Sequence, residues 1–537
     1  MKTNLTTLLL VCLVCYFTQA QDWKTYPYSP EGSLISFPKD EGAHTAEAVE
    51  WWYTAGEVVG ETSGKHYAYM LSYFDYSYGG FDGFRIFNLR DLSTGAFYQS
   101  TLPLYYKTLS TEALSIEAAV VLGTTETWSN TVDGDNKIIP FEYTVKASSD
   151  AGSIDFLYES VKRPLIIGGT GKIDQGSSKY SYYYSQTKNE VSGKITLNGI
   201  TENVIGTAWI DRQYGNFNPL SSEKYEWFSL QLSNGMDLNL WNIFTPENTV
   251  PNNSKYKILS AYVNEDTRFT IHDFNIERLA FNWMPDEAKC YSKKWHLTAA
   301  SKGIDLTIEN RYTDAEIQLP FRFYEGATTI TGTINGVEVT GIGFSELVHS
   351  YEHPEISISS LPDQMYTPGI PVTWELENPD DGRPIYYDIL FSTDETNFME
   401  IASNLTDTSF TWDSPTLEQG DTVTFKVVAH SIDNALISET TSDPWVFSTL
   451  SVEESVLNQI NIFPNPVQSQ LHLHVPQQLK NLNVQVIDIS GRIVSQIKVP
   501  AGSSKIVAID TKNFHSGFYY LHCISNGAKK SFKFIKK

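Results

Sequence analysis

Two acidic residues follow aromatic residues at a spacing of two, in closely related contexts. The first motif is Trp209-Ile210-Asp211 and the second is Phe344-Ser345-Glu346. In a β-strand, residues i and i+2 lie on the same face, so each carboxyl group is expected beside an aromatic side chain. Apolar surroundings raise the pKa of a carboxyl group toward neutral pH, where it can transfer protons. The spacing predicts acid/base chemistry, and the alternative for Asp211 is a residue that caps a turn.

The two motifs close the two copies of an internal repeat. An Asn-Gly pair precedes each motif, at Asn198-Gly199 and at Asn335-Gly336, and is typical of a β-hairpin. The first copy opens with Glu50-Trp51-Trp52-Tyr53 and the second with Glu226-Trp227-Phe228. The repeat predicts two similar β-units packed together. The opening tryptophans are interpreted first as core residues that close the end of a small barrel.

Strand patterns dominate the elements that must position these motifs. Alternation of apolar and polar residues predicts strands at Tyr67–Phe74, Glu226–Leu232 and Met236–Ile243. Long amphipathic helical patterns are missing. The predicted fold class is therefore all-β.

Several segments occur in the order found in a known superfamily. The chain resembles the carotenoid 1,2-hydratase (hydroxyneurosporene synthase) and AttH-like lipocalin superfamily over roughly residues 25–350. The resemblance implies two lipocalin-like β-barrels in tandem, over residues 22–215 and 216–355. The segments that carry it are Asp40–His44, Glu50–Gly56, Tyr182–Ser185, Ala208–Arg212, Glu226–Leu232 and Phe323–Ala327.

The resemblance also implies cofactor-free acid/base chemistry on carbon–carbon double bonds and carbon–oxygen bonds. In the carotenoid hydratases an aspartate protonates the alkene; its position falls on Asp211, and its aromatic neighbour falls on Trp209. An upstream His and Trp of the hydratases fall near Tyr182 and Tyr184, a departure that argues against carotenoid hydration itself. Tyrosine can replace histidine in proton transfer where a cation such as Arg212 lowers its pKa.

These arguments give two sets of candidate residues. The predicted catalytic residues are Asp211, Tyr182, Tyr184, His44 and Glu346. No cofactor and no metal is predicted, because the loose cluster of His349 and His353 with Glu346 and Glu352 lies in a loop-like stretch. The predicted substrate-binding residues are Trp209, Arg212, Tyr214, Trp52, Tyr53, Trp227 and Tyr324.

Both ends of the chain predict export. Lys2, the apolar run Leu8–Cys15 and Thr18-Gln19-Ala20 predict a signal peptide over residues 1–20. Residues 455–537 resemble the C-terminal sorting domain of type IX secretion substrates, through Ile462–Pro466, Ser490-Gly491-Arg492 and the basic tail from Lys529. The resemblance implies the type IX secretion machinery as a partner and an extracellular or cell-surface location.

The remaining segment and the composition limit the other partners. Residues 361–450 resemble a fibronectin type III module with Trp374 in its core. The formal net charge of −24 argues against nucleic acid and anionic membranes. Cys290 and Cys523 remain after the signal peptide, are expected in different domains and are not predicted to form a disulfide.

The leading hypothesis for function is a secreted carbon–oxygen hydro-lyase that acts on uronate- or sulfate-bearing oligosaccharides, such as fragments of the algal polysaccharide ulvan. Tyr182 or Tyr184, Asp211 and Arg212 would then supply the base, the acid and the cation that neutralises a carboxylate. The first alternative is a hydratase or cyclase of isoprenoid or other lipophilic substrates, which predicts an aliphatic and aromatic pocket without a convergent basic residue. The second is a non-catalytic surface protein, without a pocket that joins Asp211 to the tyrosines.

Overall fold

The computed structural model describes residues 22–537 with gaps, and the predicted signal peptide lies outside the described residues. The described part forms two compact units, the first with two large β-sheets and the second with four small ones. The first unit also contains two short 3₁₀ turns. Lys39–Glu41 precedes its first strand, and Ala300–Lys302 lies between two strands of the second sheet. The gaps are residues 177, 218–222, 287, 319–320, 352–354, 360, 362–368, 377–383, 414–416, 419, 433–435, 448–455, 480 and 501–504.

Twelve strands form the first sheet. They are β1 (Val49–Gly60), β2 (His66–Tyr78), β3 (Phe81–Asp91), β4 (Phe97–Leu109), β5 (Ser115–Val120), β6 (Thr125–Val132), β7 (Ile138–Ser148), β8 (Gly152–Ser160), β9 (Leu165–Ile166), β10 (Lys172–Gln175), β11 (Lys179–Leu197) and β12 (Ile200–Gly215).

The first sheet closes into a barrel. Its order is β10-β11-β12-β1-β2-β3-β4-β5-β6-β7-β8, and β8 also pairs with β11, so β11, β12 and β1 to β8 form a closed ring. Alternate residues of these strands fill the interior with apolar side chains such as Tyr69, Leu104 and Trp128. The other face of β1, β2 and β3 carries a second row of buried residues, including Tyr53, Met70 and Ile86.

Ten strands form the second sheet. They are β13 (Lys224–Leu232), β14 (Asp237–Phe244), β15 (Lys257–Asn264), β16 (Thr267–Ile271), β17 (Asn275–Trp283), β18 (Cys290–Ala299), β19 (Ile304–Asn310), β20 (Glu316–Ile317), β21 (Phe323–Ile334) and β22 (Val337–Leu347).

The second sheet is a half-barrel and not a second closed barrel. Its order is β16-β15-β14-β13-β22-β21-β19-β18-β17, and among the described residues no pairing joins β16 to β17. The edges explain this difference from the prediction, because β16 has only five residues and register shifts between Arg278 and Phe281 interrupt β17.

The predicted all-β class and the internal repeat are confirmed. In each half the opening strand pairs with the closing strand, β1 with β12 and β13 with β22. The hairpins turn at Asn198-Gly199, with φ of 50° and 79°, and at Asn335-Gly336, with φ of 51° and 76°. Positive φ at both central residues is the signature of a type I′ turn, which favours Asn-Gly. Two of the predicted strands lie within β2 and β13, and the third, Met236–Ile243, begins one residue before β14.

The second unit contains two pairs of small sheets. A three-stranded sheet, β23-β24-β27, and a five-stranded sheet of β25, β26, β28, β29 and β30 meet through aromatic contacts such as Trp374–Tyr387, with ring centroids 5.3 Å apart. The sheets β31-β32-β35 and β34-β33-β36-β37 share one apolar core. The strands are β23 (Ile356–Ile358), β24 (Ile370–Leu376), β25 (Tyr386–Ser392), β26 (Met399–Leu405), β27 (Ser409–Trp412), β28 (Thr422–His430), β29 (Leu436–Thr441), β30 (Trp445–Val446), β31 (Asn461–Phe463), β32 (Gln470–Val475), β33 (Leu482–Asp488), β34 (Ile493–Val499), β35 (Lys505–Asp510), β36 (Gly517–Ser525) and β37 (Ala528–Lys536).

A buried ion pair fixes the opening glutamate of each half. Arg212 Nη2 donates to Glu50 Oε2 at 2.7 Å in the barrel, and Arg278 Nη2 donates to Glu226 Oε2 at 2.6 Å in the half-barrel. A histidine stacks on an aromatic ring beside each pair. The ring centroids are 3.4 Å apart for His44 on Tyr214 and 3.6 Å apart for His349 on Phe244.

The ion pair of the barrel predicts a large stability effect. Arg212→Met leaves the Glu50 carboxylate buried without its cation, so we expect the free energy of unfolding to fall by about 3–5 kcal/mol. Chemical denaturation measures the change. The double variant Glu50→Gln/Arg212→Met is the control and should recover much of the loss, because it removes the unpaired charge. A single variant as stable as the wild type would contradict this role.

Candidate active site

The candidate active site lies where the outer face of the barrel packs against the half-barrel. Side chains from both sheets form one apolar cluster there, including Tyr53, Trp209, Trp227 and Phe344. Tyr53 and Trp227 contact each other edge to face, with centroids 5.5 Å apart. Because β1 and β13 open the two halves, this contact joins equivalent parts of the repeat.

Asp211 is buried in this seam between the barrel and the half-barrel. It accepts hydrogen bonds at both of its oxygens. Trp209 Nε1 donates to Oδ1 at 2.5 Å, and the Tyr183 hydroxyl donates to Oδ2. Burial raises the pKa of Asp211 to about 7, while hydrogen bonds from Ser185, Tyr183 and Trp209 partly oppose the rise and the charge of Glu346 adds to it. Asp211 therefore sits at a pKa where it can give or take a proton near neutral pH.

Other donors hold Tyr183 in the orientation that serves Asp211. Trp227 Nε1 donates to the Tyr183 hydroxyl at 2.9 Å and Asn239 Nδ2 donates to it at 2.5 Å. Burial, followed by the charge of Asp211, raises the pKa of Tyr183 well above its usual value. The Tyr183 hydroxyl therefore stays protonated and donates a hydrogen bond to Asp211.

Two glutamates add a pair of carboxyl groups to the same seam. Glu325 and Glu346 lie opposite each other on β21 and β22, and each acts on the pKa of the other. The Tyr53 hydroxyl donates to Glu325 Oε1 at 2.8 Å, and the Tyr225 hydroxyl donates to Glu346 Oε1. Burial raises the pKa of both groups, and the charge of Glu346 raises that of Glu325 further. Two carboxyl groups in this arrangement share one proton.

A small apolar cavity reaches this pair at Glu346. It has a volume of about 20 Å³, and its ionisable side chains among the described residues are Glu346, Tyr53 and Tyr225. None of the described residues that line it is basic. They are Trp51, Tyr53, Met70, Ser72, Phe74, Ile86, Tyr225, Phe321, Phe323 and Glu346.

Five of the predicted site residues meet in the seam. Asp211 and Trp209 contact each other, Tyr53 binds Glu325, Trp227 binds Tyr183, and Glu346 pairs with Glu325.

Six of the other seven predicted residues lie on the strand faces opposite the seam, and the seventh, His44, lies in the segment before β1. Arg212 binds Glu50 and lies 3.9 Å from the ring centroid of Trp52, whose Nε1 donates to the Glu41 carbonyl. His44 stacks on Tyr214 and lies within hydrogen-bond distance of Asp40 and Glu50, at 3.0 and 3.2 Å. The remaining members are Tyr182, which stacks on Tyr214, Tyr184, which packs against Phe37, and Tyr324, whose hydroxyl donates to the Tyr312 carbonyl.

A β-bulge explains why Tyr183, and not its neighbours, meets Asp211. Counted from the Asn198-Gly199 turn, the register pairs Asn189 with Ala208, and an unbroken ladder would continue to place Gln186 opposite Asp211. The ladder shifts by one between Gln186 and Asn189, so Ser185 pairs with Asp211 instead. A shift of one residue exchanges the two faces of a strand.

Sequence reasoning missed five members of the site. Glu325 could have been predicted, because an unbroken count from the second Asn-Gly turn places it opposite Glu346 in the hairpin of β21 and β22. No local pattern indicates the others, which reach the seam through the packing of the two sheets. The missed residues are Tyr183, Ser185, Tyr225, Asn239 and Glu325.

The histidine and acid cluster considered for a metal does not assemble in the described residues. Glu346 pairs with Glu325, whereas His349 stacks on Phe244. Glu352 and His353 lie outside the described residues. Within the described ranges, no three His, Cys, Asp or Glu side chains form a metal-binding group.

The family model described as AttH-like matches residues 28–351, which include both large sheets and the seam residues Asp211, Glu325 and Glu346. The chain belongs to the AttH-like family. Kievitone hydratase of Fusarium solani subsp. phaseoli is 23% identical over 269 residues, which cover 45% of this chain and 73% of that protein. This likeness relates the family member described here to a curated protein over most of that protein's length.

Two solved structures are similar to this AttH-like chain. A crystal structure assigned as AttH, from Nitrosomonas europaea, has 20% identity and a TM-score of 0.50, covering 60% of this chain and 99% of that one. Kievitone hydratase from Nectria haematococca has 18% identity and a TM-score of 0.48, covering 60% and 98%. The first likeness supports the shared fold.

The C-terminal residues 461–537 match the secretion system C-terminal sorting domain. This AttH-like protein is therefore a type IX secretion substrate, destined for the extracellular space or the cell surface. No helix in the described part of the chain has the length and apolarity needed to cross a bilayer.

The shared proton predicts a distinct response to two amide substitutions. Glu325→Gln mimics protonated Glu325, since its carbonyl accepts from Tyr53 and its amide donates to Glu346. The raised pKa of Glu325 means that its stabilising contribution is full at low pH and is lost as pH rises through the folded-state pKa. We expect the unfolding free energy of the wild type to fall between about pH 5 and 8, by at most about 1.4 kcal/mol per pH unit for this group, and that of Glu325→Gln to fall less.

Asp211→Asn provides the contrast, because its NH2 group cannot accept a hydrogen bond and leaves either the Trp209 or the Tyr183 donor unpaired. We expect it to lose about 1–3 kcal/mol across the same pH range. Denaturant unfolding at several pH values measures both variants. Equal pH dependence in wild type and Glu325→Gln would show that Glu325 does not hold a proton in the folded protein.

Proposed function

We propose that this protein is a secreted hydro-lyase that adds water to, or removes it from, a lipophilic substrate with a branched carbon–carbon double bond. The observation that carries the proposal is the position of Glu346, which lines an aromatic cavity and stands opposite a second carboxyl group, that of Glu325. The similarity to a protein named kievitone hydratase supports the hydratase reaction class.

The proposed hydration begins at Glu346, which lines the cavity. Glu346 transfers the shared proton to one alkene carbon, the π electrons form the new C–H bond, and the other carbon becomes a cation. Water forms the C–O bond at that carbon and returns one proton to the glutamates, which restores the pair. Dehydration is the same sequence reversed.

The surroundings of the pair favour the cationic intermediate. The faces of Trp51, Tyr53 and Phe74 attract positive charge, an effect that grows where water is excluded. After proton transfer both glutamates are negative, and Asp211 adds a third carboxyl group to the seam. We propose that Glu346 transfers the proton. Asp211 and its hydrogen-bond donor Tyr183 set how much negative charge the seam carries.

A uronate-bearing oligosaccharide such as an ulvan fragment fits the seam less well. Elimination beside a carboxylate needs a cation, and the predicted cation, Arg212, is occupied by Glu50 on the opposite face of β12. The cavity wall is mainly aromatic and aliphatic. These contacts favour the lipophilic substrate over the sugar.

Mass spectrometry tests the reaction through the gain of one water. We expect purified protein to convert prenylbenzene, whose trisubstituted alkene yields a tertiary cation, and Glu346→Gln to lose at least about 100-fold in kcat/KM. Glu338→Gln is the matched control, because Glu338 is an exposed carboxylate on the same strand. Its activity should equal that of the wild type.

The same assay includes oligosaccharides that carry uronates. Water exchange on these sugars alone would overturn the lipophilic assignment. Full activity of Glu346→Gln on prenylbenzene would remove Glu346 from proton transfer and return that role to Asp211.

A further inference from the structure

A second small cavity lies on the Glu325 side of the carboxyl group pair. Its volume is also about 20 Å³, and Glu325, Ala327 and Phe344 of the half-barrel contribute to its wall. The barrel contributes Asn88, Arg90 and others. The proposed reaction has no need for this space, because the first cavity already reaches the proton donor Glu346.

Asn88 gives this second cavity an unsatisfied polar group. Its side chain is only 4% exposed, and within the part of the chain that the structure describes neither its Nδ2 nor its Oδ1 has a hydrogen-bond partner. A buried amide without partners is costly, so a site that retains one has a reason to do so. The amide offers one acceptor and two donor hydrogens to a group that enters the cavity.

The neighbouring Arg90 already has hydrogen-bond partners and ring contacts. Its guanidinium donates to the Gly95 carbonyl at 2.7 Å and to Asp314 at 2.6 Å. It also lies over the rings of Phe97 and Tyr312, 4.4 and 4.3 Å from their centroids. The ligand chemistry of this cavity is therefore that of the neutral amide of Asn88, which suits a hydroxyl or carbonyl group better than an anion.

Met70 joins the two cavities. It contributes to the walls of both cavities, so they flank it; the slot is the pair of cavities with Met70 between them. Methionine is unbranched and adapts its conformation to its neighbours. Each half of the slot holds only a water-sized group, so a larger ligand must displace Met70 to occupy both.

We propose that Asn88 is a specificity residue that binds a hydroxyl or carbonyl group of the substrate, while the alkene lies beside Glu346 across Met70. This inference rests on the proposed function and adds a second requirement to the substrate. The substrate class becomes an amphipathic one: a branched alkene at one end and a neutral hydrogen-bonding group at the other.

Binding of two saturated probes tests the inference independently of catalysis. The probes are para-isopentylphenol and isopentylbenzene, which differ by one hydroxyl and cannot be hydrated. Calorimetry should show that the wild type binds the phenol at least about tenfold more tightly, the ratio that one hydrogen bond of about 1.4 kcal/mol provides. Asn88→Leu should abolish this ratio and retain binding of isopentylbenzene, which also shows that the variant is folded.

Asn242→Leu is the matched control, because Asn242 is equally buried and both its amide atoms lack partners, yet it lines neither cavity. It should keep the wild-type ratio. Met70→Phe, which fills the junction, should weaken the phenol more than isopentylbenzene.

Two results would overturn the inference. One is an equal affinity of the wild type for both probes, which would mean that Asn88 holds an ordered water only. The other is an unchanged ratio in Asn88→Leu. Failure of prenylbenzene hydration together with a selective, Asn88-dependent phenol affinity would instead refute the proposed reaction and leave the binding site in place.

Discussion

The first unit depends on one constraint: its apolar seam encloses three carboxyl groups, of which Asp211 and Glu325 are buried and Glu346 is half-buried. An ionised carboxylate without water or a cation is costly, and the seam meets this cost with phenol and indole donors and with a shared proton. Tyr53, Tyr183 and Tyr225 each donate to one carboxyl group. The arginines Arg212 and Arg278 are held elsewhere, by Glu50 and Glu226. These two arginines are thus kept on strand faces away from the seam, and their charges do not offset the raised pKa values of its acids.

The same exclusion of water affects both the acids and the ligand. Aromatic walls raise the pKa of Glu346 because they cannot solvate its charge. In the proposed function they also make the slot a poor host for a charged sugar and a good one for an apolar chain. The raised pKa of the acid and the proposed substrate preference then arise from one physical cause, and a polar substitution in the wall would change both together.

Sequence patterns predicted contacts within a strand better than contacts between strands. Trp209 with Asp211 needed only the alternation of one strand, and both Asn-Gly turns gave the hairpins. The faces of Tyr182 and Tyr184 depended on the ladder between β11 and β12, and one bulge reversed them. Closure of the second sheet depends on edge strands far apart in the chain, whose pairing no local pattern encodes. The seam itself, with Asn239 and Tyr225, is a product of packing between the two halves.

The pairing of first with last strands has a consequence for the order of folding. Tyr53 stands opposite Asp211 in the β1–β12 ladder, and Trp227 stands opposite Glu346 in the β13–β22 ladder. Contacts between residues so far apart in the sequence have a high contact order. They form after the local hairpins, because closing a long loop costs more conformational entropy. The proposed proton transfer requires both long-range closures, so a partly folded chain lacks the assembled site. The proposed activity therefore becomes available only late in folding, after both ladders have closed.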